Sequence, residues 1–549
     1  MVAVKQHETR ELFQQGRDAW NNWADRMLAE RAELEASNDE LREWHDRAKV
    51  QFREGDLVHG SDLSGFVFPG QADFQGLRLI SPISMEGTEF HGTAKFAGTI
   101  FRSNVTFART TFHDEAHFKR AKFSGYTDLR NCTFAGRATF DEMEVDGPAN
   151  FTRCQFDQGA DFRNTKFDDV IFNSAVSSHP MDFGGCEFRQ DADFLSVRFA
   201  GAEFPSTRFR GNARFTSSEF MEAALFTRSK FFGDADFDNA NFSDLVEFDV
   251  STFQSVASFI NSVFQSDLIF VSTVFKSDAS FHHAQFYGSA NFSRCRFLGS
   301  TSFFSCRINS YISFEAIRAE SSFDLANARC RKVPNFIQAH FPEASRLDDI
   351  EVPTVTDIAK GTREQRLHLT ARYRALKRLA IQGHDHDREL QFFADEMRSQ
   401  LDERWKLKSV LIALYGHFSD FGRSILRPAA WWSVLFLLFG GIYYLGHRGW
   451  LLDGWHSACV SGDGSPLLNA IYLSLRKGLI FPGLSQTGKI DQVNACLFGF
   501  QTFATEDGVR RVVPDIPLEV AFLGMAQTLL SGILIFLVLL VFRNRFRIK

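Results

Sequence analysis

The sequence predicts a β-solenoid, followed by helices and a hydrophobic C-terminal membrane module. Three observations support this fold class. The chain has 549 residues, which is more than one ordinary hydrophobic core accommodates. It contains 62 Phe but only 8 Trp and 8 Tyr, although Leu, Ile and Val normally share the work of filling a core. Large apolar residues also recur at a fixed period over about half of the chain.

The recurring residues form a ladder with alternating steps of six and five residues from Phe68 to Phe341. Because two steps together make an eleven-residue period, the pattern also fits a right-handed coiled coil. Residues 231–245, however, are rich in Gly, Asn, Asp and Ser, and the coiled-coil spacing of three and four residues is absent. The pattern therefore favours extended segments and predicts burial of these structural ladder residues: Phe96, Phe107, Phe118, Phe215, Phe226, Phe237, Phe248, Phe259, Phe270, Phe281 and Phe292.

A small residue stands two positions before nearly every ladder residue, as Ala94 does before Phe96. Residues two apart on an extended segment face the same side, so both are expected to point inward. A corner must then follow each segment to turn the next pair inward. Cys330 lies on the ladder and five other cysteines occupy the small position, which favours structural thiols over redox or metal chemistry. The five are Cys132, Cys154, Cys186, Cys295 and Cys306.

This pattern resembles the pentapeptide-repeat family, in a Phe-rich form with an eleven-residue double repeat. The resemblance implies a right-handed quadrilateral β-helix, with a large residue central in each face and a small residue two positions before it. Four faces would give 22 residues in each coil and about twelve coils between Phe68 and Phe341. The chain uses Phe where the family often has Leu. It also inserts an extra residue on alternate faces, which we interpret as a bulge at alternate corners.

Helical patterns flank the repeat on both sides. Residues 1–60 are predicted to form an N-terminal helical cap on the β-helix at 61–345, because an uncovered coil edge invites strand pairing. Residues 346–427 are predicted to form a helical hairpin linker and an interfacial helix. Residues 428–549 form the predicted membrane module, so four domains are expected along the chain.

Two apolar segments of the C-terminal module, 428–446 and 520–542, are long enough to span a membrane. A buried core helix is the alternative for each. The segment 467–484 between them is interrupted by charged residues, Gly and Pro, and we interpret it as a re-entrant or interfacial helix. Trp and Tyr near the ends of the first segment are typical of a membrane interface.

This order of span, interrupted helix and second span resembles the pore domain of two-transmembrane ion channels. Arg476 and Lys477 stand near where the selectivity filter of such a channel would begin, and no TVGYG-like segment follows them. The resemblance therefore does not imply K⁺ selectivity. Three roles stay open for the basic pair: favouring anions in a pore, binding lipid headgroups, or closing a vestigial pore.

Basic residues lie just before the first span and just after the second, which places both termini in the cytoplasm by the positive-inside rule. Residues 1–15 contain no apolar stretch resembling a secretory signal, and the expected location is a bacterial inner membrane with two spans. The loop 448–519 then lies across the membrane, where oxidation is expected. It contains Cys459 and Cys496, the two cysteines outside the repeat, and we predict a disulfide between them.

No residue pattern in the sequence points to catalysis, a cofactor or a metal. The GxSxG, HExxH, P-loop and dinucleotide fingerprints are absent. Residues 384–387 (HDHD) are interpreted as a loop and helix cap rather than metal ligands, and His282 and His283 as a solvated corner. A formal net charge of −6 and a pI near 6.3 do not favour nucleic acid as a partner. We therefore expect neither an enzyme nor a nucleic-acid binder.

The function that these features favour is a membrane-tethered scaffold whose cytoplasmic β-helix mediates protein interaction. One alternative is a partner-gated, ion-channel-like membrane protein with a degenerate filter. Another is a DNA-mimicking gyrase inhibitor, as some pentapeptide-repeat proteins are; residues 233–249 are acidic, but Arg and Lys interrupt the acidity elsewhere on the repeat. The expected partners are membrane lipid, an unidentified protein on the β-helix and a second copy of the chain through the membrane module.

Overall fold

The chain forms two compact units. The first consists of Met1–Ile358 with Arg378–Asp385 and is built on a β-solenoid; the second consists of Ala359–Lys377 with His386–Lys549 and is mainly helical. The computed structural model of the chain describes residues 11–38, 40–53, 56–57, 62–341, 345–355, 363–401, 407–447, 465–479, 487–504 and 510–546.

The first unit is a parallel β-solenoid of about twelve coils, which confirms the predicted fold class. Its two-residue strands form four parallel sheets, which the chain visits in the order sheet 1, sheet 2, sheet 3 and sheet 4. Successive strands of a sheet start one coil apart, as at Ala116 and Ala138, and two steps in each sheet are one residue shorter, as from Ala160 to Met181. The sheets run from Val67–Phe68 to Arg329–Cys330 (sheet 1, 13 strands), from Val50–Gln51 to Ile312–Ser313 (sheet 2, 13 strands), from Arg78–Leu79 to Arg318–Ala319 (sheet 3, 12 strands) and from Ile83–Ser84 to Phe323–Asp324 (sheet 4, 12 strands).

Phe side chains fill the centre of the solenoid. All eleven ladder residues named above are fully buried, and each follows a strand of sheet 2 or sheet 4. In sheet 2, the rings of Phe226, Phe248 and Phe270 stack with 4.7 Å between successive centroids, which matches the spacing of paired strands, about 4.7–4.9 Å. Rings of sheet 4 meet them edge to face, as Phe237 does at 5.4 Å from Phe248. Phe suits these positions because a flat ring stacks at the strand spacing and also offers its edge to a neighbouring ring.

The steps of five and six residues arise from two kinds of corner. The corner after a ladder residue of sheet 2 or 4 is a tight turn, in which Gly98, for example, has a positive φ and Thr99 N donates to Phe96 O at 3.1 Å. The corner after sheet 1 or 3 carries the extra residue, as at 102–104. Strands pair one to one between coils, so the extra residue lengthens the corner and is not a bulge within a ladder. Two such corners lack it and produce the shorter steps: 168–169 and 200–201.

Val250 lies in one of the tight turns with a φ of 58°, and it is the one β-branched residue with a positive φ in the described ranges. The left-handed conformation costs an ordinary residue about 1–2 kcal/mol, and Asn tolerates it better. We therefore expect Val250→Asn to raise the free energy of unfolding by about 0.5–1 kcal/mol, measured by denaturant unfolding. Ser272 has a φ of 59° one coil further on, and Ser272→Asn should change little. A loss of stability in the Val250 variant would contradict strain at this turn.

Two helices cover the first coil of the solenoid, α1 (Arg17–Ser37) and α2 (Arg42–Ala48). Trp20 of α1 is buried, its ring centroid lies 5.5 Å from that of Phe68, and its Nε1 donates to Val67 O at 2.7 Å. Trp44 of α2 is buried and donates from Nε1 to Met27 O at 2.7 Å. Both indoles have their one polar group satisfied, so α1 and α2 shield the end of the Phe stack without leaving a buried donor unpaired.

A helical hairpin follows the solenoid along the chain and belongs to the second unit, except for Arg378–Asp385, which belong to the first. Its helices are α3 (Arg363–Gln382) and α4 (His386–Ser399), and Glu396 of α4 accepts hydrogen bonds from Arg374 at 2.8 Å and from Lys377 at 2.6 Å. Further helices and one β-hairpin follow, with these bounds: α5 (Leu407–Ser419), α6 (Leu426–His447), α7 (Pro466–Gly478), α8 (Thr487–Phe498), Phe500–Ala504 paired antiparallel to Arg510–Pro514, and α9 (Leu518–Phe546).

Helices α6 and α9 are long and apolar enough to cross a membrane. The mean hydropathy is 1.5 for Leu426–His447 and 2.5 for Leu518–Asn544. Only 22% and 28% of their most apolar windows are buried inside the protein, whereas the core helix of a soluble protein would be mostly buried. These two helices contain the apolar segments 428–446 and 520–542 and support a membrane location.

Candidate functional site

Buried polar side chains join α6, α7 and α9. Gln527 of α9 is fully buried; its Nε2 donates to both Ser474 O and Ser474 Oγ at 2.8 Å, and its Oε1 accepts from Tyr443 OH at 3.0 Å. Ser474 Oγ donates in turn to Phe436 O at 2.7 Å. A polar group without a partner in hydrocarbon costs several kcal/mol. These bonds therefore hold the three helices in one arrangement.

Helix α7 packs against both candidate spans. Ser465 caps its N-terminus by accepting from Leu468 N, and Trp432 of α6 donates from Nε1 to Gly478 O at 3.3 Å at its other end. With 13 residues α7 is too short to cross a bilayer, which takes about 20 residues. The segment predicted as a re-entrant or interfacial helix, 467–484, coincides with α7 up to Gly478, and 480–486 lie outside the described residues.

The two basic residues that the sequence singled out, Arg476 and Lys477, lie in the last turn of α7. Positive charges there complement the partial negative charge of a helix C-terminus. Lys477 is exposed and, with Gly524 and Thr528 of α9, lines a groove of about 570 Å³. Arg476 is half-buried, and its Nη1 has no hydrogen-bond partner among the residues described. Lys477 thus lies at the surface beside α9, whereas Arg476 Nη1 lies inside the helical unit.

Cys496, one of the two cysteines of the predicted disulfide, lies in α8. It is 2% exposed and disulfide-bonded, and its Sγ accepts from Asn469 Nδ2 at 3.1 Å. Cys459 lies outside the described residues, so the pairing of these two cysteines stays a prediction.

The six cysteines of the solenoid are buried free thiols. Five of them donate to a carbonyl of the preceding coil at 2.8–2.9 Å, as Cys306 Sγ does to Phe281 O. Burial raises the pKa of Cys186 and Cys295 well above that of an ordinary thiol, and it raises the pKa of Cys330 to about 12. Because the thiolate is the reactive form, these thiols serve packing and hydrogen bonding at neutral pH.

Thr or Ser takes the place of these cysteines in many other coils of sheets 1 and 3, and the hydroxyl donates to the equivalent carbonyl. Thr273 Oγ1 donates to Phe248 O and Ser251 Oγ to Phe226 O, both at 2.6 Å. The sequence alone does not reveal this preference for a side-chain hydrogen-bond donor. Small positions with and without a donor alternate along the chain, because Ala occupies most of those in sheets 2 and 4. A column of side-chain hydrogen bonds therefore reinforces the ladder of small residues.

Replacing Thr273 by Val keeps a branched side chain but removes the donor to Phe248 O. We expect the free energy of unfolding to fall by about 1 kcal/mol, measured by denaturant unfolding of the full chain. Val197 is buried and precedes a strand of sheet 1 as Thr273 precedes a strand of sheet 3, so the reciprocal change Val197→Thr adds a hydroxyl and should not lower stability. If Thr273→Val did not lower the free energy of unfolding, the hydrogen bond to Phe248 O would contribute nothing to stability at this position.

Ion pairs link successive coils on the outer faces of the solenoid. Lys122 Nζ lies 3.1 Å from Glu144 and 3.2 Å from Asp146 on the next coil. Arg189, two coils beyond Asp146, lies 3.1 Å from the same carboxylate. The hydrogen bond from Lys122 lowers the pKa of Glu144. These side chains are 33–41% exposed and reach solvent, so each pair contributes little to stability, and their main effect is a mixed, soluble surface.

The acidic stretch 233–249 takes part in the structure of the corners. Asp238 accepts from Ile260 N at 2.8 Å, and Asp249 accepts from Val271 N at 2.9 Å. Each carboxylate thus satisfies a backbone N–H of the next coil. Burial raises the pKa of Asp249. The stretch therefore has a structural role that accounts for part of its acidity without DNA mimicry.

The histidines noted in the sequence occupy a loop and a corner. His384 lies in the link between α3 and α4 with a φ of 56°, and α4 begins at His386. His282 and His283 lie against the ring of Phe304, with centroid distances of 5.8 and 5.9 Å.

Comparison with known proteins covers the solenoid in part. A family model described as pentapeptide repeats, in nine copies, matches residues 63–121, 140–177 and 237–285. All three segments lie within the four-sheet solenoid, so the match supports a scaffold built from pentapeptide repeats. No curated protein and no solved structure shows significant similarity to the chain.

Proposed function

We propose that the chain is a membrane-tethered scaffold whose solenoid binds a protein partner. The observation that carries this proposal is that one chain joins a pentapeptide-repeat solenoid to two helices long and apolar enough to cross a membrane. Pentapeptide-repeat solenoids are in general structural or interaction proteins. The proposal includes two spans in a bacterial inner membrane, with both termini and the solenoid in the cytoplasm.

The outer faces of the solenoid suit a partner that needs an extended surface. In each sheet, one residue of every two-residue strand points outward, and the next coil repeats it at about 4.7–4.9 Å. Met221 and Tyr287 lie three coils apart after ladder residues of sheet 1 and are 53% and 46% exposed. Such apolar side chains within a charged surface are natural anchors for a protein partner.

A photo-crosslinking amino acid at each sheet tests this proposal in the full-length chain in its native membrane. Four outward positions of one coil form a matched set: Val263 on sheet 1, Glu247 on sheet 2, Thr252 on sheet 3 and Ser258 on sheet 4. A binding face should give a discrete adduct from one sheet or from two adjacent sheets, and none from the opposite sheet. No adduct from any position, repeated on other coils, would overturn the scaffold proposal.

The second candidate is a partner-gated, ion-channel-like assembly of the helical unit. The short α7, bonded through Ser474 and Gln527 between two candidate spans, favours this candidate. Full-length protein in planar bilayers should then conduct, and replacing Arg476 and Lys477 together by Gln should change the ion preference. No current from the unaltered protein would reject the channel and leave α6 and α9 as a tether.

A further inference from the structure

Glu89, His91 and His113 form a compact group on sheet 1 of the solenoid. Glu89 lies in the strand Glu89–Phe90, and the two histidines follow the ladder residues of successive coils. His91 Nε2 is 3.1 Å and His113 Nε2 is 3.6 Å from Glu89 Oε2. Within the described ranges, no other three His, Cys, Asp or Glu residues have ligand atoms that all lie within 4.8 Å of one another.

Stacking of the coils explains this geometry. A residue that lies one full coil further along the chain returns to the same place on the solenoid, so His113 lies directly beyond His91. Their rings stack with centroids 4.2 Å apart and an interplanar angle of 14°. Parallel rings at this spacing direct both Nε2 atoms to the same side, where Glu89 Oε2 lies. The three ligand atoms are therefore positioned by the repeat itself.

We propose that Glu89, His91 and His113 bind a divalent transition-metal ion of the Zn²⁺ type. In a tetrahedral site with bonds of about 2.0–2.1 Å, neighbouring ligand atoms are about 3.3 Å apart. The two nitrogen-to-oxygen separations, 3.1 and 3.6 Å, lie on either side of that value, and all three ligand atoms lie within 4.8 Å of one another. Because the two rings are stacked nearly parallel, each imidazole must also tilt out of the stack so that both Nε2 lone pairs point at one ion. Two imidazoles and one carboxylate are a known zinc ligand set, and they leave a fourth position for water.

The surroundings of the group permit a cation. The side chains of His91, His113 and Glu89 are 25%, 41% and 49% exposed, so an ion can reach them. One basic side chain lies close to the group: Arg31 Nη1 donates to His91 O at 3.5 Å. Its charge is partly offset by Glu35, which lies 2.7 Å from Arg31 Nε.

The chain contains a matched control for the role of the second histidine. His117 Nε2 lies 3.1 Å from Glu115 Oε2, the same separation as between His91 and Glu89. The neighbour of His117 on the next coil is a hydroxyl, however, since its Nδ1 lies 3.0 Å from Thr139 Oγ1. This pair offers a metal two ligands where the proposed site offers three.

The test is a titration of Co²⁺, which reports tetrahedral coordination by its visible absorption, into full-length protein without a polyhistidine tag. We expect one equivalent with a band that Zn²⁺ displaces. Loss of a group that only supports a metal ligand typically weakens binding about 10- to 100-fold, so removal of a ligand by His91→Ala, His113→Ala or Glu89→Gln should weaken it at least tenfold. His117→Ala should leave binding unchanged.

Thermal unfolding gives a second readout and shows that each variant is folded. Zn²⁺ should raise the melting temperature of the unaltered protein and of His117→Ala, because a ligand that binds only the folded state stabilises it. It should not raise that of His113→Ala. No tetrahedral cobalt band in the unaltered protein, or a band and affinity unchanged in folded His91→Ala and His113→Ala, would overturn the proposal.

Discussion

Replacing Phe248 by Ala should lower the free energy of unfolding by about 3–5 kcal/mol. Phe248 is fully buried, stacks at 4.7 Å between Phe226 and Phe270, and meets Phe237 edge to face at 5.4 Å. The cavity left by its ring cannot close easily, because parallel strand ladders hold the neighbouring coils at a fixed spacing. Thermal unfolding of the full-length protein in detergent measures the loss.

Phe304 provides the same substitution outside the ladder. Its ring is half-buried at a corner and contacts only the neighbouring His282 and His283 among the ring contacts described. Phe304→Ala should cost at most about 1 kcal/mol, in the range typical of surface positions. Equal shifts in melting temperature for the Phe248 and Phe304 variants would contradict the energetic role of the Phe stack.

The solenoid could be predicted from the sequence because each coil must place its large residues on the same faces, directly above those of the preceding coil. The number of residues in each coil is therefore nearly constant, and ladder residues such as Phe226, Phe248 and Phe270 recur once in every coil. The single-residue slips at 168–169 and 200–201 interrupt this count without breaking the sheets. A corner can lose a residue because it lies outside the strand pairs.

The conformation of the corners could not be predicted in the same way. Gly marks the left-handed position in a few coils, including Gly98, but Arg109, Glu142 and Val250 adopt the same conformation in others. The backbone geometry there is imposed by the stack of coils and not by local preference. The side chain at a corner therefore reports little about the turn that contains it.

The group of Glu89, His91 and His113 was not among the sequence predictions for a related reason. Glu89 and His91 are two residues apart, but His113 follows only after a full coil. That spacing brings two side chains together only when both lie at the same place on the same sheet. The coil length alone does not settle this, since every residue of the repeat has a counterpart one coil away.

In the helical unit, hydropathy was sufficient for the two long apolar helices, α6 and α9. The polar network that joins them to α7 was not predicted, although Gln527 is a visible signal: an amide in the middle of an apolar segment. Such a residue usually faces a polar partner on another helix. Which partner it has depends on helix packing, and here it contacts both Ser474 and Tyr443.

Reduction of the predicted disulfide between Cys459 and Cys496 should destabilise the helical unit by about 3–4 kcal/mol. The bridge closes a long loop, of roughly 37 residues, and so removes conformational freedom from the unfolded chain. Cys496 is disulfide-bonded, and Cys459, outside the described residues, is the other cysteine beyond the repeat. The six thiols of the solenoid are free, so a reductant should leave the unfolding of the solenoid unchanged and shift only that of the helical unit.

The same pair tests the topology. Cys459 and Cys496 belong to the loop 448–519, which the positive-inside rule places across the membrane from both termini. In intact cells, a membrane-impermeant thiol reagent should label neither cysteine before reduction and should label Cys459 afterwards. Cys306 is buried in the solenoid and should stay unlabelled in both conditions. Labelling of Cys459 without reductant would rule out the bridge. Failure to label it after a reduction that has shifted the melting of the helical unit would place the loop on the cytoplasmic side and overturn the proposed orientation.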